Sequence, residues 1–180
     1  LIWTENSLIE LFLPIITEGL ITDGFPDVVV QRANQPTQQG IPTAPTVYFY
    51  KMADRRYGFL GRQDNWDSVL NKMVHQEKQY YETTFRIQTL VLQNPKYLSF
   101  TASDLANEVA SILQSDNTVT TLNAQGVGIL RITDIVNPHF VDDRDNFEAI
   151  PSFDFTLLYL NDRISTTPII NSFEPGIYPV

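Results

Sequence analysis

Cysteine is absent from this chain of 180 residues. Disulfides, thiol nucleophiles and cysteine-ligated metals are therefore excluded, and the redox compartment is left open. Histidine is nearly absent. His75 and His139 stand far apart, with no HExxH or HxH spacing, so no transition-metal site is expected. Basic residues are also scarce, 12 against 21 acidic, for a formal charge of −9. A tight nucleic-acid binder needs a concentrated basic face, which this balance argues against. No apolar run approaches the length that spans a bilayer. The first basic residue is Arg32, and Glu10 and Pro14 interrupt the apolar run near the start. No secretory leader is expected, and the chain is expected to be soluble.

The usual glycine-rich and nucleophile motifs are missing as well. There is no GxxxxGK[ST], GxGxxG or GxSxG, and Gly126-Val127-Gly128 offers only two glycines before a strand. The acidic run Asp142, Asp143, Asp145 and Glu148 lacks the central glycine and alternate acids of a calcium loop, so it is expected to be a solvated hairpin tip. No catalytic residue, metal or cofactor is expected.

What is present is a core. Hydrophobic residues make up 43% and aromatic residues 12%, enough for one compact domain. The chain is organised around Gln79 to Gln93. Tyr81, Thr83, Phe85, Ile87 and Thr89 alternate there with Tyr80, Glu82, Thr84, Arg86 and Gln88. Period-two alternation in aromatic and β-branched types predicts a long strand, central in an antiparallel sheet, with one buried face.

The neighbours follow from their own signals. Residues 4 to 21 predict a helix, with Ser7 and Glu10 at capping-box spacing, an apolar face through Leu8, Leu11, Phe12 and Ile15, and a kink at Pro14. Val28 to Gln31 is a short strand. Residues 34 to 45, with three prolines, a glycine and no charge, predict an extended loop. Thr46 to Tyr57 predicts a strand with Val47 and Phe49 on one face and Tyr48 and Tyr50 on the other. Gly61 to Asn65 suggests a turn, and Trp66, Val69, Leu70, Met73 and Val74 a short helical face. Thr101 and Asp104 open a helix whose stripe is Leu105, Val109, Ile112 and Leu113. Asn117 to Leu122 adds a short helical turn. Residues 128 to 136 and 152 to 160 are the closing strands, the latter with Phe153, Phe155, Leu157 and Tyr159 inward.

The predicted order is α–β–β–β–α–β–β. It favours an α+β domain, mainly antiparallel, with two helices packed on one face of the sheet. The domain is expected over residues 1–163, with 164–180 as an extended C-terminal arm. Arg55 and Arg56 are the densest basic spot. With Tyr57 they are the expected subunit interface, opposite the acidic run Asp142, Asp143, Asp145 and Glu148 of a neighbour. Two solvated arginines at a strand end is the plain alternative.

Several stretches resemble a known family. They are VVVQRANQP at 28–36, TVYFYKMADRRYG at 46–58, YYETTFRIQTLVLQ at 80–93 and TASDLANEVASIL at 101–113. Together with the element order over residues 3 to 163, they look like the neck or tail-terminator proteins of tailed bacteriophages. The Asn-Gln-Pro turn after the first strand is the closest likeness, and residues 164–180 have no counterpart. The resemblance implies a structural virion protein, assembled in the host cytoplasm and sited in the tail and neck region. It implies a hexameric ring at the head-proximal end of the tail that stops tube polymerisation and joins the head connector. The implied partners are further copies of the chain, the tail-tube protein, the head–tail connector protein and, in contractile tails, the sheath protein. Genome DNA would pass through the lumen without specific binding, and no membrane is involved. Six copies would carry roughly −54 formal charges, which would repel the passing genome if part of them lined the lumen. Two alternatives remain: another virion part, such as a head-completion, connector or baseplate protein, and a small acidic enzyme domain.

Overall fold

The computed structural model describes residues 2–33, 44–91, 99–141 and 147–168. Helix α1 (Glu5–Thr22) comes first, then β1 (Val29–Arg32), β2 (Thr46–Asp67) and β3 (Lys72–Leu90). Helices α2 (Ala102–Gln114) and α3 (Asp116–Ala124) follow, then β4 (Val127–Ile132), β5 (His139–Val141), β6 (Phe147–Ala149) and β7 (Ser152–Pro168). The main sheet has the order β1-β2-β3-β7-β4, with β5 and β6 forming a separate hairpin. The class is α+β. β3 is central as its alternation requires, and only β1 runs parallel to its neighbour, β2.

Among the described residues, three helices rather than two cover one face, because Asp116–Ala124 extends the expected short turn into a helix capped by Ser115. α2 begins with the predicted reciprocal cap between Thr101 and Asp104. α1 is capped one turn earlier than the Ser7–Glu10 spacing suggested. The Thr4 hydroxyl accepts from the Ser7 amide, and the Ser7 hydroxyl accepts from the Thr4 amide. Its buried stripe is Leu8, Phe12, Ile16 and Leu20, so Ile15 turns half outward. Pro14 lies inside one continuous helix. Pro14 has no N–H for the Glu10 carbonyl, but both residues are exposed, and water can take that carbonyl.

Phe12 sits where the helical layer meets the sheet. Its ring packs edge-on against Phe49, Phe85 and Phe155 at 5.4, 5.0 and 5.2 Å. These three rings come from β2, β3 and β7, so one helical side chain ties three strands together. Gly19 lets α1 approach α2: a Cβ there would stand 2.6 Å from Ile112 Cγ2. Among the described residues, the opposite face of the sheet carries no helix. Arg86 there donates to both carboxylate oxygens of Asp154 at 2.6 and 3.0 Å.

The largest departure from expectation lies in residues 59–78. No helix forms there. β2 continues to Asp67 and β3 begins at Lys72, making one long hairpin. At its tip the Asp67 carboxylate accepts from the amides of Val69 and Leu70 at 2.9 and 3.0 Å, and Asn71 takes a left-handed φ of 52°. The turn expected at Gly61–Asn65 is strand instead, preceded by a bulge between Tyr57 and Gly61. Residues 164–168 of the expected C-terminal arm are the end of β7, paired to β3 from Ile164↔Gln76 to Pro168↔Lys72. The loop expected at 34–45 and the acidic residues Asp142, Asp143 and Asp145 lie outside the described residues, apart from Ala44 and Pro45.

Candidate functional site

β1 pairs with β2 only through Phe49, and β4 pairs with β7 only between Phe155 and Tyr159. Among the described residues, β2, β3 and β7 continue alone beyond those limits, as a three-stranded extension that leaves the helical body. From Asp54 to the tip it reaches roughly 40 Å at the rise of an extended strand. Both its faces are largely solvent-exposed, including Tyr57, Trp66, Tyr80 and Ile164, and Phe59 projects from the bulge fully exposed. A small antiparallel sheet with no core of its own gains little from burial, so such a length needs either local pairing or a partner.

Local pairing is present. On the helix-side face His75 contacts Asp64 at 2.8 Å and the Thr167 hydroxyl at 2.9 Å, linking all three strands. Arg62 and Glu77 face each other at 3.3 Å. Gln76 donates to Asp162 at 2.6 Å on the other face. Where the extension meets the body, the nearly buried Gln79 donates to the Tyr57 carbonyl at 2.7 Å, inside the bulge.

The root is a polar cluster around a cleft of about 170 Å³. Glu5 bridges Arg32 and Lys51, and Lys51 also reaches Asp54 at 2.8 Å. Thr83 donates to Asp54 at 2.7 Å and lies 2.9 Å from the Tyr159 hydroxyl. Tyr159 stacks on Tyr81 with ring centroids 6.0 Å apart, and Trp3 meets it edge-on. The Trp3 amide donates to Asn161 at 2.7 Å, which pins the chain ahead of α1 to β7. Burial pushes the Asp54 carboxyl up, but the hydrogen bonds from Lys51 and Thr83 and the Lys51 charge outweigh it, so its pKa lies below the ordinary value. Burial pushes the Tyr159 phenol up. A carboxylate held ionised between a cation and a hydroxyl is a poor proton acceptor. The cluster is a latch that joins α1, β2, β3 and β7 at the base of the extension.

The residues singled out from the sequence fall at this junction in part. Arg55, Arg56 and Tyr57 are exposed mid-strand residues of β2, where the sheet leaves the body, and not at a strand end as expected. They alternate faces: Arg55 sits opposite Glu82, Arg56 opposite Tyr81 and Tyr57 opposite Tyr80. Asp142, Asp143 and Asp145 lie outside the described residues. Glu148 is in β6, with its side chain not described. Among the described residues no group of three or more His, Asp or Glu side chains is placed to hold a metal ion, and no helix is long and apolar enough to cross a membrane. The sequence reasoning missed the extension. Its signal was the alternation of Arg62, Asp64 and Trp66, and of Met73, His75 and Glu77, on either side of the turn that Asp67 and Asn71 bound.

Comparison with known proteins decides the family. A family profile described as "E217 gateway protein gp29" matches residues 7–169. The chain belongs to the E217 gateway protein gp29 family. It is thus a phage structural protein. Among solved structures, this gateway-family chain is similar to the sheath/tube terminator, in its extended state, of the extracellular contractile injection system PVC. The TM-score is 0.56 at 7% identity, a likeness of fold. The match covers 100% of this chain and 65% of the terminator, so the chain spans just under two thirds of that protein's length. No individually curated protein matches the sequence.

Proposed function

We propose that this protein forms a ring at the head-proximal end of the phage tail, where it ends polymerisation of the tail tube and joins the tail to the head connector. The observation that carries the proposal is the terminator-like fold with a long sheet extension left uncovered by the described residues of the chain. A protein that works alone has little use for exposed strands on this scale. A protein built into a ring and a tube end has a partner for each of them. The chain acts by shape and contact, not by catalysis, and the ion-paired root cluster supports that role. Its partners are other copies of itself, preferably six, with the tube protein on one side and the connector on the other, and the sheath where the tail contracts. Arg55, Arg56 and Tyr57, at the base of the extension, are proposed contact residues between subunits. The acidic run Asp142, Asp143, Asp145 and Glu148 is their proposed electrostatic counterpart.

Electron microscopy of particles from a phage with this gene deleted tests the proposal. Overlong headless tails beside DNA-filled heads are the expected result. Tails of normal length that fail to join heads would move the protein to the connector side, as a head-completion part. Intact infectious particles would overturn the assignment.

A further inference from the structure

The extension has two open edges. Among the described residues, β2 from Asp54 to Asp67 has no strand partner on the side away from β3, and neither does β7 from Leu160 to Pro168. Each edge presents a row of backbone donors and acceptors that a further strand can satisfy. β3 is antiparallel to both β2 and β7, so those two edge strands run in the same direction. A rotation axis along the extension preserves strand direction. Copies related by such an axis therefore set β7 of one beside β2 of the next in a parallel pair. A two-fold axis across the extension would instead pair β2 with β2 antiparallel. We infer that the extensions of neighbouring copies join edge to edge, β7 to β2, into a closed barrel of three strands per copy.

Charge favours a second copy as the occupant. Between Asp54 and Glu82, and between Leu158 and Pro168, the chain carries six basic and six acidic residues, half of all its basic residues. The rest of the chain holds the whole formal charge of −9. Bodies of several copies repel one another, while their extensions are neutral and meet without that cost.

Register narrows the seam. Arg163, Glu77 and Arg62 lie level across the three strands. With no offset at the seam, Arg163 would stand beside Arg62 of the next copy, a like-charge pair. A closed barrel requires a stagger, and only an even offset keeps the faces aligned. An offset of two residues sets Arg163 beside Asp64 of the next copy and Ser165 beside its Trp66. Both arginine and acid are exposed, with the Asp64 side chain 65% accessible while it holds His75.

The inference rests on the ring proposed above, and its test separates the two. The native chain has no cysteine, so introduced thiols are unique. Particles are assembled from chains carrying the pair Asp64→Cys with Arg163→Cys, or Trp66→Cys with Ser165→Cys, and from each single variant. They are treated with a short bismaleimide and resolved under denaturing conditions. Each pair is expected to give a ladder of covalent oligomers ending at one closed species, and each single variant only monomer. If particles join heads to tails normally yet both pairs yield only monomer, the seam is wrong while the ring stands. Covalent dimer from Asp64→Cys alone, with nothing larger from the pair, replaces the barrel by a two-fold β2–β2 contact.

Discussion

Replacing Gly19 by alanine should destabilise this protein, although alanine is the better helix former. Within α1 the exchange gains about 1 kcal/mol of intrinsic helix propensity. Against that gain, the new Cβ would stand 2.6 Å from Ile112 Cγ2 and 3.0 Å from its Cγ1 and Cδ1. Carbon atoms at rest are separated by about 3.5–4.0 Å, so α1 and α2 must part by close to 1 Å. Ile112 cannot easily turn away, because a β-branched side chain on a helix has one strongly preferred rotamer, and here it is 94% buried (6% exposed). Overpacking of this kind costs roughly 1–3 kcal/mol. The net loss is about 1 kcal/mol, read as a fall in Tm of about 2–4 °C for a chain of this size. The decisive comparison is the background Ile112→Ala. That change alone should cost about 2–5 kcal/mol through the cavity it opens. Adding Gly19→Ala then fills space instead of colliding, and should recover about 1 kcal/mol or more. Urea unfolding of the four proteins measures the cycle. If Gly19→Ala stabilises both backgrounds equally, the close helix approach is not what holds glycine at this position.

The remaining predictions concern the core, the charges and the interface. Phe12→Ala should cost about 3–5 kcal/mol, because it empties the contact among three strands; chemical denaturation measures it. Burial and the neighbouring Asp23 carboxyl push the Glu108 pKa up. Its contribution is therefore intact below the unfolded value near 4.5 and lost as pH rises through the folded value. Glu108→Gln should raise Tm at pH 7 and make no difference near pH 4. Asp104 is held below its ordinary pKa by hydrogen bonds from the Thr101 amide and hydroxyl, and Asp54 is also lowered. Their stabilisation is present above pH 4 and lost on acidification, so Asp54→Asn should flatten the acid limb of a Tm-against-pH curve. Arg55→Gln with Arg56→Gln should leave Tm within about 1 °C, since exposed charges contribute little to folding, while cutting the yield of joined particles severalfold. Unchanged infectivity would remove those residues from the interface.

Local chemistry was legible in the sequence wherever a pattern and its neighbours agreed. The alternation from Tyr81 to Thr89 determined which face of β3 is buried, because a strand turns every second side chain inward whatever lies beside it. Thr101 and Asp104 fixed the start of α2, because a cap is completed within four residues. Phe153, Phe155, Leu157 and Tyr159 marked the inward face of β7 for the same reason as β3. Charge and the missing motifs narrowed the function before any fold was known.

What only the tertiary structure decided is everything that depends on a partner distant in the chain. Trp66, Val69, Leu70, Met73 and Val74 carry apolar spacings that fit a helix as well as a hairpin. Short apolar clusters do not distinguish the two periods by themselves. The choice fell to β7, whose last residues pair with β3 and hold the hairpin extended from some ninety positions away. The α1 stripe shifted by one residue, from Ile15 to Ile16, because Phe12 had to meet Phe49, Phe85 and Phe155 at once. The latch of Glu5, Lys51, Asp54, Thr83 and Tyr159 draws on four elements, and no spacing in the sequence brings those residues together. Backbone pattern is a local property that sequence carries; edge, register and junction are set by long-range packing, which exists only once the chain has folded.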